Sequence, residues 1–222
     1  MVLPDTLACL PRARVVEYPR RTVAYDAKRP PDHFYLVLAG QVQLFCTSDE
    51  GAQTLLRVVC PEHFFGEYVL ISPPVCDWRE SAVVTEPAQL MSWTAEELQH
   101  HIERQPLLGL ALCQYFVTHH RMMMERLTGM MSSPNVRTRV MRSLLHLARS
   151  TGIPTPAGAL RLHGLTHRLI AAYVGTTREV VTTEMNRLRS RGYVSYTQQS
   201  YLDVYPAGLS QALEEESTTP TL

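Results

Sequence analysis

The stretch LTHRLIAAYVGTTREVVTTEMNRLRSRG, residues 165–192, decides the C-terminal part of the fold. Leu169, Ile170 and Val174 form the apolar side of a short helix, and Gly175 supplies a turn. Thr176 and Thr177 then offer N-cap oxygens to a second helix whose apolar side is Val181, Met185 and Leu188. The pattern is a helix-turn-helix. Its second helix exposes Arg178, Glu179, Thr182, Thr183 and Asn186. These are groups that major-groove reading uses: an Arg bidentate on guanine O6 and N7, a Glu accepting from cytosine N4, and threonines for bases or phosphates. Beyond Gly192, Tyr193 to Tyr196 and Tyr201 to Tyr205 flank a polar turn at Gln198-Gln199-Ser200 and predict a β-hairpin wing. The candidate DNA-binding residues are Thr166, His167, Thr177, Arg178, Glu179, Thr182 and Thr183. The competing reading is a helical bundle whose charged face is merely solvated.

Upstream, Val140, Leu144, Leu145 and Leu147 mark a helix over 136–149, preceded by a break at Ser132-Ser133-Pro134-Asn135 and followed by a loop over 151–158. Residues 106–131 predict one long helix, in which Leu112, Phe116, His119, Met123, Leu127 and Met130 recur at steps of three or four. Such a seam resembles a coiled coil and needs a partner, so these six are assigned to a dimer helix. Thr94, with Glu97 three residues on, opens a short helix as a capping box.

From about Val15 to Trp93 the rhythm is β. Phe34 to Leu38 and Gln41 to Phe45 read as two strands around Gly40, and Leu55 to Val59 and Ser81 to Val84 continue the pattern, with turns at Ser48 to Gly51 and Ser72-Pro73-Pro74. The expected fold class is α+β: an N-terminal antiparallel β-roll at 1–105, a long dimerisation helix at 106–132, a winged helix-turn-helix at 133–205, and a disordered acidic tail at 206–222.

The 222 residues suffice for two modest domains with their own cores. The 21 basic and 21 acidic side chains cancel, but not uniformly. Residues 1–131 hold 11 basic and 15 acidic groups, a net of −4, whereas 132–205 hold 10 and 3, a net of +7 that suits a polyanionic partner. Cys9, Cys46, Cys60, Cys76 and Cys113 are odd in number and form no CxxC pair, which argues against a disulfide framework and a closed zinc site. No run of about 18 apolar residues and no export-type leader is present, so a cytoplasmic location without membrane contact is expected. HExxH, GxSxG and P-loop spacings are absent, and no catalytic role, metal or cofactor is expected.

FYLVLAGQVQLF (34–45), PEHFFGE (61–67) and TTREVVTTEMNRLRSRGYV (176–194), in this order, make residues 15–205 resemble the CRP/FNR family, the cyclic-AMP receptor protein and fumarate–nitrate reduction regulators. The resemblance implies a cyclic-nucleotide-binding-like jelly roll and a homodimer on double-stranded DNA. Its two recognition helices would enter successive major grooves of a pseudo-palindromic site and act on transcription initiation with RNA polymerase. The family's recognition helix commonly carries a second Arg where this chain has Thr183, so a half-site keeping only part of a TGTGA-like core is implied.

In cyclic-AMP-binding members a Gly-Glu pair meets the ribose and an Arg-Ser/Thr-Ala segment holds the cyclic phosphate. The corresponding candidate pocket residues are Gly66, Glu67, Arg79, Glu80, Ser81 and Ala82, with Met124 and Glu125 where a polar pair would meet adenine. Glu80 stands in the place of the phosphate-binding arginine, Arg79 belongs to the opposite face of a strand, and the segment between the two elements is longer and carries Pro73-Pro74. Like charges repel, so cyclic-AMP dependence is not expected and the small-molecule effector is left unnamed. The alternative is a ligand- or haem-sensing module acting mainly through a protein partner, with His119, His120, the neighbouring methionines and Cys76 as the sensor. A Met stripe at helical spacing more often fills a core.

Overall fold

The computed structural model describes residues 6–71, 79–133, 135–197 and 201–218. The expected turns at Ser72-Pro73-Pro74 and Gln198-Gln199-Ser200, together with Cys76 and Pro134, lie outside the described residues. The chain divides into two compact units, Met1–Met123 and Met124–Leu222, so the division falls within the long helix rather than at the expected break at 132–135.

In the first unit a short helix, α1 (Thr6–Cys9), precedes strands β1 (Arg14–Tyr18), β2 (Val23–Tyr25), β3 (Phe34–Thr47), β4 (Gln53–Val59), β5 (Phe64–Phe65) and β6 (Glu80–Trp93). A 3₁₀ turn, Glu67–Leu70, follows β5. The sheet is antiparallel in the order β1-β6-β3-β4, with β2 pairing β6 and β5 pairing β3. Tyr25, Tyr35, Val37, Val42, Leu44, Phe65, Val84 and Leu90 fill one core of this roll. A second cluster joins Phe34, Phe64 and Trp93 to Leu98 of α2 (Ala95–Arg104) and to Leu108 and Leu112 of α3 (Pro106–Met131). Thr94 caps α2 in the expected manner: its hydroxyl accepts from the Glu97 amide, and the Glu97 carboxylate accepts from the Thr94 amide.

The two strands expected around Gly40 are one strand of 14 residues, β3. Its pairing with β6 shifts register at Val37/Ala39, Ala39/Gln41 and Gln41/Val42. Gly40 sits at φ 81°, and a β-carbon there would lie 2.1 Å from the carbonyl oxygen of Pro87. The glycine therefore marks a bulge and a close backbone approach, not a chain reversal.

The second unit contains α4 (Val136–Thr151), β7 (Ile153–Pro154), β8 (Leu160–Leu162), α5 (His167–Val174), α6 (Arg178–Ser190), β9 (Val194–Thr197), β10 (Tyr201–Val204) and α7 (Pro206–Thr218). Asn135 caps α4 by accepting from the Thr138 amide at 2.8 Å. The wing strands β9 and β10 extend into a four-stranded sheet, β7-β8-β10-β9, so the expected loop over 151–158 contains an edge strand and a tight turn. Arg161 and Asp203 clasp this sheet with two bonds of 2.7 Å, which compensates the buried Asp203 carboxylate.

The expected disordered tail at 206–222 is corrected over 206–218, and residues 219–222 lie outside the described residues. Residues 206–218 form α7, because Leu209 and Ala212, three apart, bury on one side of the helix. Glu216 then accepts from Arg137 Nη1 at 3.0 Å and from the Thr138 hydroxyl at 2.8 Å, both on α4. Composition favoured disorder, but two well-spaced apolar residues and one carboxylate with cationic and hydroxyl partners are enough to dock the segment.

Gly40→Ala should lower the stability of the roll by about 2 kcal/mol or more, from positive-φ strain plus displacement of the Pro87 carbonyl. A urea unfolding midpoint equal to that of the parent would contradict the close approach.

Candidate nucleic-acid interface and effector-domain cluster

Thr166 and Thr177 cap α5 and α6: their hydroxyls accept from the Leu169 amide at 3.2 Å and the Val180 amide at 3.4 Å. Gly175, at φ 72° in the left-handed region, ends α5 and turns the chain into α6. Ile170, Ala171 and Val174 of α5 and Val181, Met185 and Leu188 of α6 are buried, which leaves Arg178, Glu179, Thr183 and Asn186 exposed. The Glu179 carboxyl is held below its usual range, first by its own backbone amide and then by the Thr177 hydroxyl, so it stands ionised as an acceptor.

The two threonines of α6 differ. The Thr182 hydroxyl donates to the carbonyl of Arg178 at 2.8 Å and also lies 2.9 Å from His167 Nδ1, so it is engaged within the protein. Thr183 donates to the Glu179 carbonyl at 3.1 Å, which leaves acceptor lone pairs and a methyl group facing solvent. His167 is half-buried, and its Nε2 lies 2.6 Å from the hydroxyl of Tyr196 on β9.

In the first unit, Glu67 and Glu80 share one cluster, whereas Arg79 has a partner of its own. Gly66, at φ 77°, tolerates no β-carbon, which would lie 2.7 Å from the His33 carbonyl. Glu67 turns inward and accepts from Arg57 Nη2 at 3.2 Å. Arg79 pairs with Asp49 at 2.6 Å, whereas Glu80 accepts from the Tyr25 hydroxyl at 2.5 Å. Arg79, just before β6, and Glu80, its first residue, thus take separate partners. Ser81 is half-buried, and Ala82 is core. Met124 and Glu125 are exposed on α3 in the second unit.

Arg57 organises the cluster and escaped the sequence reading, although it is the one charge in Leu55-Leu56-Arg57-Val58-Val59. Its guanidinium, on a side chain only 19% exposed, donates to the Phe64 carbonyl at 2.8 Å as well as to Glu67. Burial alone would lower its pKa, yet Glu67 first, then Tyr115, Glu80 and Tyr25, raise it and keep it charged. Burial pushes the Glu80 carboxyl upward, and Glu67 adds repulsion that the Tyr25 bond and Arg57 only partly offset. Tyr115 of α3 accepts from the Phe64 amide at 2.9 Å and stacks on His119 at 4.2 Å, its hydroxyl 3.1 Å from His119 Nε2. Burial, Arg57 and His63 together push the His119 imidazole down to about 4.

This placement corrects the dimer-helix assignment. Leu112 is buried, and Phe116 and His119 are half-buried against the roll, so they do not share a face open to a partner. Met123 and Leu127 are exposed, and Met130 is half-buried. A different row is exposed throughout: Leu110, Cys113, Val117 and His120 in the first unit, then Met124, Leu127 and Met131 in the second. Their spacing alternates three and four, the heptad step of a coiled-coil seam. A long helix with two apolar rows gave one blended pattern in sequence.

Among the described residues, no group of three or more His, Cys, Asp or Glu is placed to hold a metal ion, and no helix is long and apolar enough to cross a membrane.

Comparison with known proteins gives two family matches, a cyclic nucleotide-binding domain over residues 15–105 and a Crp-like helix-turn-helix domain over residues 138–210. The chain is 27% identical over 203 residues to the CRP-like cAMP-activated global transcriptional regulator of Mycobacterium tuberculosis, covering 90% of this chain and 89% of that one. It is 31% identical over 160 residues to the cyclic AMP receptor protein of Thermus thermophilus, covering 72% and 69%. A solved CRP/FNR family transcriptional regulator from the same Thermus strain superposes with a TM-score of 0.64 at 26% identity, over 90% of this chain and 98% of that one.

The raised Glu80 carboxyl fixes a sign. A carboxyl that binds its proton more tightly when folded stabilises the fold below its unfolded value, and that contribution is lost as pH rises through the folded value. Glu80→Gln should therefore raise the urea midpoint of the protein at pH 7, and the difference should close as pH falls toward the ordinary value of 4.5. A variant less stable at pH 7 than at pH 4.5, relative to the parent, would contradict this environment.

Proposed function

Because the chain belongs to the CRP/FNR family of transcription regulators, we propose that it is a cytoplasmic homodimer that binds a pseudo-palindromic DNA site through α6 and needs no cyclic AMP to do so. The observation that carries the reading is the exposed first turns of α6, where Arg178, Glu179, Thr183 and Asn186 stand clear of the buried face. Arg178 supplies the bidentate guanine contact and Glu179 an ionised acceptor for a cytosine amino group. Thr182 is held internally and contributes position. Thr183, its proton already donated, suits a thymine methyl or a base amino group, so the half-site departs there from the pattern read by a second arginine.

The dimer rests on the exposed row from Leu110 to Met131, whose heptad spacing gives a second copy of the same helix a complementary seam. Cyclic-AMP independence rests on the charges of the roll. Two of the relatives are described as cAMP-activated or as a cyclic AMP receptor. In this chain Glu80 occupies the place of the phosphate-binding arginine, and the nearby cation, Arg57, is already paired with Glu67 and the Phe64 carbonyl. A cyclic phosphate would meet a carboxylate and would have to displace an internal ion pair. The regulator then acts on transcription initiation with RNA polymerase, with its ligand, where one is used, of other chemistry.

In fluorescence anisotropy without nucleotide, Arg178→Ala should weaken binding to a duplex selected by the parent protein by about 1–3 kcal/mol and relax the preference at one guanine. Equal loss on selected and random duplexes would overturn the assignment of Arg178 as a base reader. Leu127→Arg, which places a charge in the exposed row, should convert dimer to monomer in size-exclusion chromatography with light scattering; an unchanged dimer mass would move the interface elsewhere.

A further inference from the structure

Tyr196, His167, Thr182 and the Arg178 carbonyl form one continuous hydrogen-bonded chain from the wing to the recognition helix. The carbonyl can only accept, and the shorter contact of the Thr182 hydroxyl, 2.8 Å, assigns its single proton to that carbonyl. His167 Nδ1, 2.9 Å from the same hydroxyl, is then the donor. A neutral imidazole has one N–H, so Nε2 is a bare acceptor and the Tyr196 hydroxyl, 2.6 Å away, donates to it. Every donor points the same way, from β9 through α5 into the first turn of α6. A chain with one direction of donation has no freedom to reorient a single member.

We propose that His167 is a positioning residue whose protonation switches this chain and thereby makes duplex affinity dependent on pH. The inference rests on the DNA-binding reading above. With a neutral ring, the Tyr196 proton is held inward. With a protonated ring, Nε2 becomes a donor, the Tyr196 oxygen accepts, and its own proton turns outward on a side chain that is 40% exposed. A positive charge also appears beside the face that carries Arg178. Both changes favour a phosphate oxygen.

The charged groups facing the chain are Arg178 on α6, which acts on His167, and Arg189 at the far end of α6, which acts on Tyr196. In the free protein burial first, and Arg178 second, hold the His167 imidazole below its usual range. Phosphates at this face oppose Arg178 and raise it. The bound state then takes up the proton more readily, so affinity rises as pH falls through the bound-state value and levels off below the free-state value.

The test uses the full-length protein and a duplex that it has itself selected from a randomised pool, with anisotropy read across the range pH 5.5 to 8 at constant ionic strength. The parent should bind more tightly as pH falls, by up to about tenfold per pH unit for each protomer's His167, while His167→Gln, which cannot titrate, loses that slope. Ring ¹⁵N shifts of His167 in the free protein should show the Nδ1–H tautomer at high pH, and Tyr196→Phe should keep it, because Thr182 still accepts from Nδ1. An unchanged slope in His167→Gln, or an Nε2–H tautomer, overturns the proposal while leaving DNA binding intact. Failure of the parent to select any duplex overturns the DNA-binding reading and the proposal with it; the tautomer measurement, made without DNA, tests the hydrogen-bonded chain by itself.

Discussion

A guanidinium on the inward side of β4 is the constraint around which the effector domain is arranged. Arg57 cannot reach bulk water freely, so the surrounding chain must supply acceptors. It does so with the carbonyl at Phe64 and with Glu67, the first residue of the 3₁₀ turn that Gly66 makes possible. Breaking a fully buried pair costs about 3–5 kcal/mol, against less than about 1 kcal/mol for an exposed one. With side chains 19% and 33% exposed, this pair falls between those limits and is too costly to open casually. Glu80 and Tyr25 complete the arrangement, because a second carboxylate near one cation needs its own donor. The roll of this chain therefore holds, as part of its own sequence, the charge balance that a phosphate ligand would otherwise disturb.

The winged unit follows a different logic. Its core is ordinary apolar packing, and its ion pairs fix segments that composition alone would leave loose. The Arg161–Asp203 clasp orders the sheet that carries the wing, and Glu216 ties α7 back to Arg137 and Thr138. Neutralising these groups internally leaves the exposed charges of α6 to face a partner. The balanced net charge of the whole chain conceals this division of labour.

Most of the architecture was legible because it is written in local periodicity. The capping box at Thr94, the helix from Pro106 to Met131 and the glycine between α5 and α6 each follow from the chemistry of a few neighbouring residues. What escaped depended on distant partners. Gly40 reads as a turn until the Pro87 carbonyl is placed against it, and the 206–218 segment reads as disordered until Leu209 and Glu216 find α4 and its neighbours. Arg57 escaped because its compensation comes from residues 7 and 10 positions along. The seam on α3 was misassigned because one helix carries two apolar rows, and spacing does not say which row meets the roll.

The charge balance of the roll decides whether cyclic AMP can bind. Titration calorimetry of cyclic AMP into the full-length protein at neutral pH measures it directly. The arrangement of Arg57, Glu67 and Glu80 predicts no saturable heat of binding; a stoichiometric isotherm would show that the cluster opens for the nucleotide and would contradict the account.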